Sequence, residues 1–125
     1  MNQQELRELD AWIAEHVFGW WRPIPTKDIW KTPANDVVMG APHYTTDPTP
    51  AMQVLEKCAE KCTEKWDQYR PEAQLCIFSP RPEWENEWVV QSDPESTIAA
   101  QAQTLPLAVA KFAKLLFSQK EDAQP

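Results

Sequence analysis

Apolar side chains recur at steps of three and four residues in three stretches of the chain, and this spacing predicts three amphipathic helices. The helices are expected over residues 3–20, 48–68 and 105–118. Asp47 and Thr104 precede the second and third helices, where side-chain oxygens of these residue types accept hydrogen bonds from the first backbone N–H groups. We therefore expect both helix starts to contribute to stability rather than to function.

Two strands are predicted between the second and third helices. Residues 73–79 are apolar on both alternating sides, which is typical of a strand whose two faces are both covered. A proline-containing turn at residues 79–82 leads to a second strand over residues 83–91. Alternation in the second strand separates an apolar side from an acidic side: Trp84, Trp88 and Val90 against Glu83, Glu85 and Glu87. The sequence therefore predicts a hairpin with a partly exposed acidic face.

The remaining segments show no sustained periodicity of apolar residues. Residues 22–46 contain several prolines but are too apolar for a disordered linker, so we expect a long ordered connection with one short strand at residues 36–39. Residues 92–103 are predicted to be a loop, with an edge strand at residues 98–102 as the alternative. The predicted fold is α+β, with three helices packed on a small antiparallel sheet in the order helix, loop, helix, hairpin, helix. A single domain over residues 1–118 and a polar tail over residues 119–125 are expected.

The composition of the chain excludes several functional classes. The chain has 125 residues and a formal net charge of −7, which disfavours direct binding to nucleic acid, because that affinity comes mostly from clustered lysine and arginine. Only two glycines are present, whereas average usage would give roughly nine. Phosphate-binding loops, dinucleotide-binding turns and the nucleophile elbow of many hydrolases each need closely spaced glycines, so these classes are excluded.

The expected location is the cytoplasm, without membrane association. No apolar run approaches the roughly 18 residues of a membrane span, and the N-terminus does not resemble a signal sequence. Cys58, Cys62 and Cys76 do not have the spacing of a disulfide framework, and free thiols in a reducing compartment are expected. Together with His16 and His43 they could complete a zinc site, but the helix cysteines lie on the apolar stripe, which favours core packing. No metal and no cofactor are therefore predicted.

Seven tryptophans are the most unusual feature of the composition. Tryptophan fills small cores, and it is also enriched where proteins bind each other, because it buries a large rigid surface. Five of the seven lie at the ends of predicted elements or beside charged residues: Trp20, Trp21, Trp30, Trp84 and Trp88. We take these five, with Glu83, Glu85 and Glu87, as candidate partner-binding residues. A solvated edge is the alternative for the three glutamates. Catalysis by them is disfavoured, because acid–base catalysis by paired carboxyl groups needs one of them to be buried so that their pKa values differ, and none of the three is expected to be buried.

A cluster at His43, Tyr44 and Asp47 lies just before the second helix. An anion could bind there to the free N–H groups of the helix start. Asp47 already supplies the helix cap and would repel an anion, so a capping and turn role is favoured. His16 borders the apolar stripe of the first helix, which favours a packed histidine over a catalytic base.

Several segments resemble the phage ABA sandwich domain, a family of small bacteriophage and prophage proteins without an assigned chemistry. The resemblance covers roughly residues 5–117 and lies in the element order, the tryptophan-bearing hairpin and three segments: Leu9-Asp10-Ala11-Trp12-Ile13-Ala14, Tyr44-Thr45-Thr46-Asp47 and Thr104-Leu105-Pro106-Leu107-Ala108-Val109. It implies an arrangement with helices on both sides of a sheet, and a phage or prophage origin.

These observations favour a non-enzymatic phage accessory protein that acts by binding another protein. The expected partner is a host or phage protein with a basic surface, and inhibition of a host defence complex, in the manner of an anti-CRISPR protein, is one version of this expectation. The alternative is a small-molecule sponge that stacks a nucleotide-like ligand between exposed tryptophans. A weaker third hypothesis is an enzyme that uses His43 and nearby carboxylates. Homodimer formation is left open.

Overall fold

The computed structural model describes residues 2–66, 74–93 and 98–118. Within these residues the elements are, in chain order, three α-helices, five β-strands and one short 3-10 helix: α1 (Gln3–His16), β1 (Ile29–Lys31), β2 (Val37–Met39), α2 (Pro48–Trp66), β3 (Gln74–Arg81), the 3-10 helix (Pro82–Trp84), β4 (Glu87–Asp93), β5 (Ala99–Ala102) and α3 (Leu105–Phe117). The predicted α+β class with three helices is confirmed. The predicted tail over residues 119–125 lies outside the described residues.

The first helix is shorter than its apolar pattern indicates. The Asn2 side chain caps its start by accepting a hydrogen bond from the Glu5 N–H at 2.8 Å. The helix ends at His16, and Gly19 then adopts a φ of +74°, a backbone conformation that glycine adopts without steric cost. This turn lets the Trp20 N–H donate to the Ala14 carbonyl at 2.9 Å. The chain therefore leaves the helix about one turn before its predicted end at residue 20.

The second and third helices begin where the sequence predicts. Asp47 Oδ1 accepts a hydrogen bond from the Thr49 N–H at 3.1 Å. Thr104 Oγ1 accepts one from the Leu107 N–H at 3.4 Å. Both side chains satisfy backbone donors that have no partner within the helix.

A hairpin of β1 and β2 occupies the segment predicted to be a connection with one short strand. The strands pair antiparallel, with Trp30 opposite Val38. Hydrogen bonds between Thr32 and Asp36, and one from the Asn35 N–H to the Thr32 carbonyl, close the turn between the strands. Asn35 has a φ of 68°, a left-handed conformation that asparagine tolerates because its side chain is short and polar. Residue 21 adds an isolated antiparallel bridge to Lys31 on the other side of β1. The connection is thus a small sheet of its own.

The second sheet has three antiparallel strands in the order β3, β4, β5. The edge-strand alternative for residues 98–102 is correct, since β5 pairs with β4 over four residue pairs. The prediction that both faces of the first strand are buried is wrong at Ile77, whose side chain is 39% exposed. The predicted second strand at residues 83–91 also starts too early, because residues 82–84 form a 3-10 helix and β4 begins at Glu87.

The third helix lies at the centre of the packing. It contacts β4 and β5 on the sheet and also contacts α1 and α2. Its buried side chains include Val109, Phe112 and Leu116, which pack with Ile13 of α1 and Val54 of α2 in one hydrophobic core. The described part of the chain contains no helix that is long and apolar enough to cross a membrane.

Candidate functional site

The clearest exposed apolar surface lies on the hairpin of β1 and β2. Side chains of paired residues in an antiparallel sheet point to the same face, and alternate residues along a strand share that face. The register and the bridge at residue 21 therefore place five residues together: Trp21, Ile29, Lys31, Val37 and Met39. We call this set the outer hairpin face. Met39 is 77% exposed and Val37 is 62% exposed, so large apolar side chains on this face stand in water.

The opposite face of the hairpin is fixed to the body of the protein. Trp30 is fully buried, its Nε1–H donates to Asp28 Oδ1 at 2.7 Å, and the Arg22 guanidinium lies 5.0 Å from its ring centre. Val38, opposite Trp30, also packs on the core. The prediction that Trp30 anchors a partner is therefore wrong, because its side chain is not accessible. Its role is to hold the outer hairpin face in place.

The three predicted acidic residues do not share a strand face. Glu83 lies in the 3-10 helix, and Glu85 follows it in a left-handed turn with a φ of 56°. Only Glu87 lies in β4, where it is half-buried and its Oε1 accepts a hydrogen bond from Gln101 Nε2 at 2.9 Å. The proline and the turn in this segment break the alternation on which the predicted acidic strip depended. Glu83 and Glu85 remain exposed and available to a partner.

The other predicted tryptophans divide between the core and the surface. Trp20 and Trp88 are half-buried and pack against the core. The indole of Trp21 is 43% exposed and belongs to the outer hairpin face. The side chain of Trp84 lies outside the described part of the structure. Of the five candidates, Trp21 thus has the most exposed side chain in the described part of the chain.

A groove of about 760 Å³ lies on another part of the molecule, between α1, α3 and β5. Its lining includes Trp12 and the 47% exposed Leu115. Lys111 and Lys114 line it from α3, and glutamates line it from α1. Its volume lies within the range of ligand-binding pockets.

A buried polar cluster ties α1 to the segment before α2. Asp10 is 1% exposed, and its two carboxylate oxygens accept hydrogen bonds from the Thr45 N–H and from Arg7 Nη1, both at 2.8 Å. Arg7 also donates to the Ala41 carbonyl at 2.8 Å and lies 3.1 Å from His43 Nδ1. These contacts hold residues 41–45 against α1. They account for His43 and its neighbours as structural residues, in agreement with the favoured capping and turn role.

Of the three cysteines, Cys58 is fully buried in the core, as expected. Cys76 is half-buried on β3, and the side chain of Cys62 lies outside the described residues. Within the described ranges, no group of three or more histidine, cysteine, aspartate or glutamate side chains is arranged to hold a metal ion. The absence of a metal stays a prediction for the whole chain.

Sequence reasoning missed the outer hairpin face and the buried Asp10. The strand at residues 36–39 was predicted, but three consecutive apolar residues give no indication of which side is covered. Asp10 lies between buried Leu9 and half-buried Ala11, so a carboxylate inside the apolar stripe of α1 was the available signal. Buried carboxylates are rare unless they are paired.

Comparison with solved structures gives one informative match. The fold is similar to that of a phage protein from Bacillus cereus ATCC 14579, with a TM-score of 0.65 and 20% sequence identity, over 96% of this chain and 94% of that chain. At this identity the similarity shows a shared fold. No protein-family model matches the chain. No curated protein matches it either.

Proposed function

We propose that this chain is a non-enzymatic accessory protein of a phage or prophage, and that it binds another protein through the outer hairpin face. The single observation that carries this proposal is the exposure of Val37 and Met39 on a hairpin whose other face is fixed by Trp30. Clustered apolar side chains in water on a rigid support are typical of protein interaction sites. The similarity in fold to a phage protein supports the phage or prophage origin.

The energetics favour a protein partner. Complete burial of a valine or methionine side chain is worth about 1.5–3 kcal/mol, so a partner that covers Val37 and Met39 gains affinity without first reshaping the hairpin. The partner proposed from the sequence has a basic surface, and the net charge of −7 and the exposed Glu83 and Glu85 would steer it towards this chain. Inhibition of a host defence complex is the more specific version of this proposal.

The small-molecule sponge has weaker support. Of the tryptophans on which it depended, Trp30 is buried. Trp12, which lines the groove, already stacks on the His16 ring with centres 4.4 Å apart, and Lys114 Nζ lies 5.9 Å from its ring centre. A protein partner remains the favoured hypothesis.

Capture from bacterial lysate with matched variants tests the proposal. Met39→Glu places a charge on the outer hairpin face, and Met52→Glu makes the same change at a 39% exposed methionine on α2. We expect the wild type and Met52→Glu to retain the same partner and Met39→Glu to lose at least about tenfold in affinity, which corresponds to 1.4 kcal/mol. Equal retention by both variants, with unchanged melting temperatures, would remove the outer hairpin face from the proposal.

A further inference from the structure

The outer edge of β5 is the edge that faces away from β4. This strand is the last in its sheet, so one of its edges has no partner strand within residues 2–66, 74–93 and 98–118. An edge strand presents a row of backbone N–H and C=O groups that can pair with another extended chain. Ala99, Ala100 and Gln101, three of the four residues of β5, line the groove between α1 and α3. The open edge therefore borders a space that is large enough for a ligand.

The side chains around this edge leave room and supply mixed chemistry. Two of the three β5 residues in the groove are alanines, which project little into it. Leu115 on α3 is 47% exposed and offers an apolar contact beside the half-buried Trp12 of α1. Lys111 and Lys114 lie one helical turn apart on α3, and neither forms an ion pair with any residue that the structure describes. Two cations are thus available for charge-assisted contacts on the α3 side of the groove. Glu5 and Glu8 line the α1 side, and Lys114 Nζ also lies 5.9 Å from the Trp12 ring centre.

We propose that this groove binds an extended peptide segment of a partner protein, which adds to the sheet as a strand beside β5. Main-chain pairing with the open edge would supply affinity, and alternate side chains would supply specificity. Since alternate side chains of a strand share a face, the segment carries apolar residues that contact Leu115 and acidic residues that meet Lys111 and Lys114. A compact small molecule or a helix would leave the backbone groups of β5 unpaired, so an extended chain fits better. This site is separate from the outer hairpin face.

Selection from a displayed library of random peptides, about ten residues long to match the length of a strand, tests the inference on the full chain. We expect enriched peptides with alternating apolar and acidic residues. Leu115→Glu and the pair Lys111→Glu with Lys114→Glu should each weaken binding of these peptides at least about tenfold. Met39→Glu is the control, because it changes the outer hairpin face and should leave peptide affinity unchanged. Thermal unfolding followed by circular dichroism establishes that each variant is folded.

Backbone methylation of an enriched peptide tests the strand pairing itself. Each N-methyl group removes one N–H donor, and the donors of a strand point alternately to its two edges. Methylation at every second residue should therefore abolish binding, and methylation at the intervening residues should be tolerated. The inference is overturned if no peptide is enriched, if enriched peptides bind Leu115→Glu as tightly as the wild type, or if methylation shows no alternation. None of these outcomes affects the capture result for Met39→Glu, so the two proposals fail separately.

Discussion

At the scale of single residues, Asp10 is a buried polar group that links α1 to the segment before α2. Its carboxylate satisfies the Thr45 N–H and the Arg7 guanidinium at once, while its own side chain is 1% exposed. Removing one partner of a fully buried ion pair typically costs 3–5 kcal/mol. The Arg7 side chain is 36% exposed, so screening by water places the cost here no higher than the lower end of that range. The segment that carries His43 would also lose one of its attachments to α1, the hydrogen bond from the Thr45 N–H.

We expect Asp10→Ala to lower the free energy of unfolding by about 3 kcal/mol. Asp10→Asn keeps an oxygen for the Thr45 N–H but loses the charge that faces Arg7, so its loss should be smaller. Urea unfolding of the three proteins measures both differences. A loss below about 1 kcal/mol for Asp10→Ala, the net worth of one ordinary hydrogen bond, would show that the cluster is not a structural anchor.

Tyr44 provides a pH-dependent prediction. Its burial raises the pKa of the hydroxyl well above the ordinary value of 10.0, and the negative charge of Asp10 raises this pKa further. The folded chain therefore holds the tyrosine proton more tightly than the unfolded chain does. The resulting stability is fully present below the unfolded pKa, near 10, and is lost as pH rises through the folded pKa.

The free energy of unfolding should therefore fall above about pH 10 more steeply in the wild type than in Tyr44→Phe. For one proton the difference in slope approaches about 1.4 kcal/mol per pH unit. Urea titrations at about pH 8 and about pH 11 measure it, and comparison with the phenylalanine variant removes the contribution of lysines. Parallel decline of the two proteins would contradict the assignment to Tyr44.

At the scale of elements, the helix starts are the features that local sequence determines. Asp47 and Thr104 were predicted as caps, and both accept hydrogen bonds from the first turns of their helices. Asp47→Ala should lower the free energy of unfolding by about 1 kcal/mol. Asp47→Asn retains the acceptor oxygen and should stay near the wild type. Chemical denaturation compares the three proteins, and equal destabilisation by alanine and asparagine would show that charge, rather than the cap, is responsible.

The errors of prediction have two physical origins: contacts that are distant in sequence, and local turn residues. The hairpin of β1 and β2 has only three residues in each strand, too few to show a period, and it is held by packing of Trp30. The second origin is local: the alternation of glutamates at residues 83–87 suggested a strand, but Pro82 starts a 3-10 helix there. Local patterns thus identified the helices and the α+β class, whereas the exposed face of the hairpin required the structure.

At the scale of the whole molecule, one hydrophobic core supports two candidate binding surfaces, the outer hairpin face and the groove. The outer hairpin face is attached through Trp30, and the groove is formed by α1, α3 and β5. They involve different elements apart from the central packing that supports both. A partner on one surface therefore need not exclude a partner on the other. The net charge of −7 favours approach of a basic protein to the outer hairpin face, whereas it opposes approach of an acidic segment to the groove, where only the local charge of Lys111 and Lys114 is attractive.

The most direct test of the central claim is photo-crosslinking from the outer hairpin face. A photoreactive amino acid is placed at position 39 in one protein and at position 52 in another, since both methionines are exposed. After irradiation in bacterial lysate, the account predicts one dominant covalent product from position 39 that is absent from position 52. The same products from both positions, or none from position 39 while the wild type still captures a partner, would contradict binding through this face.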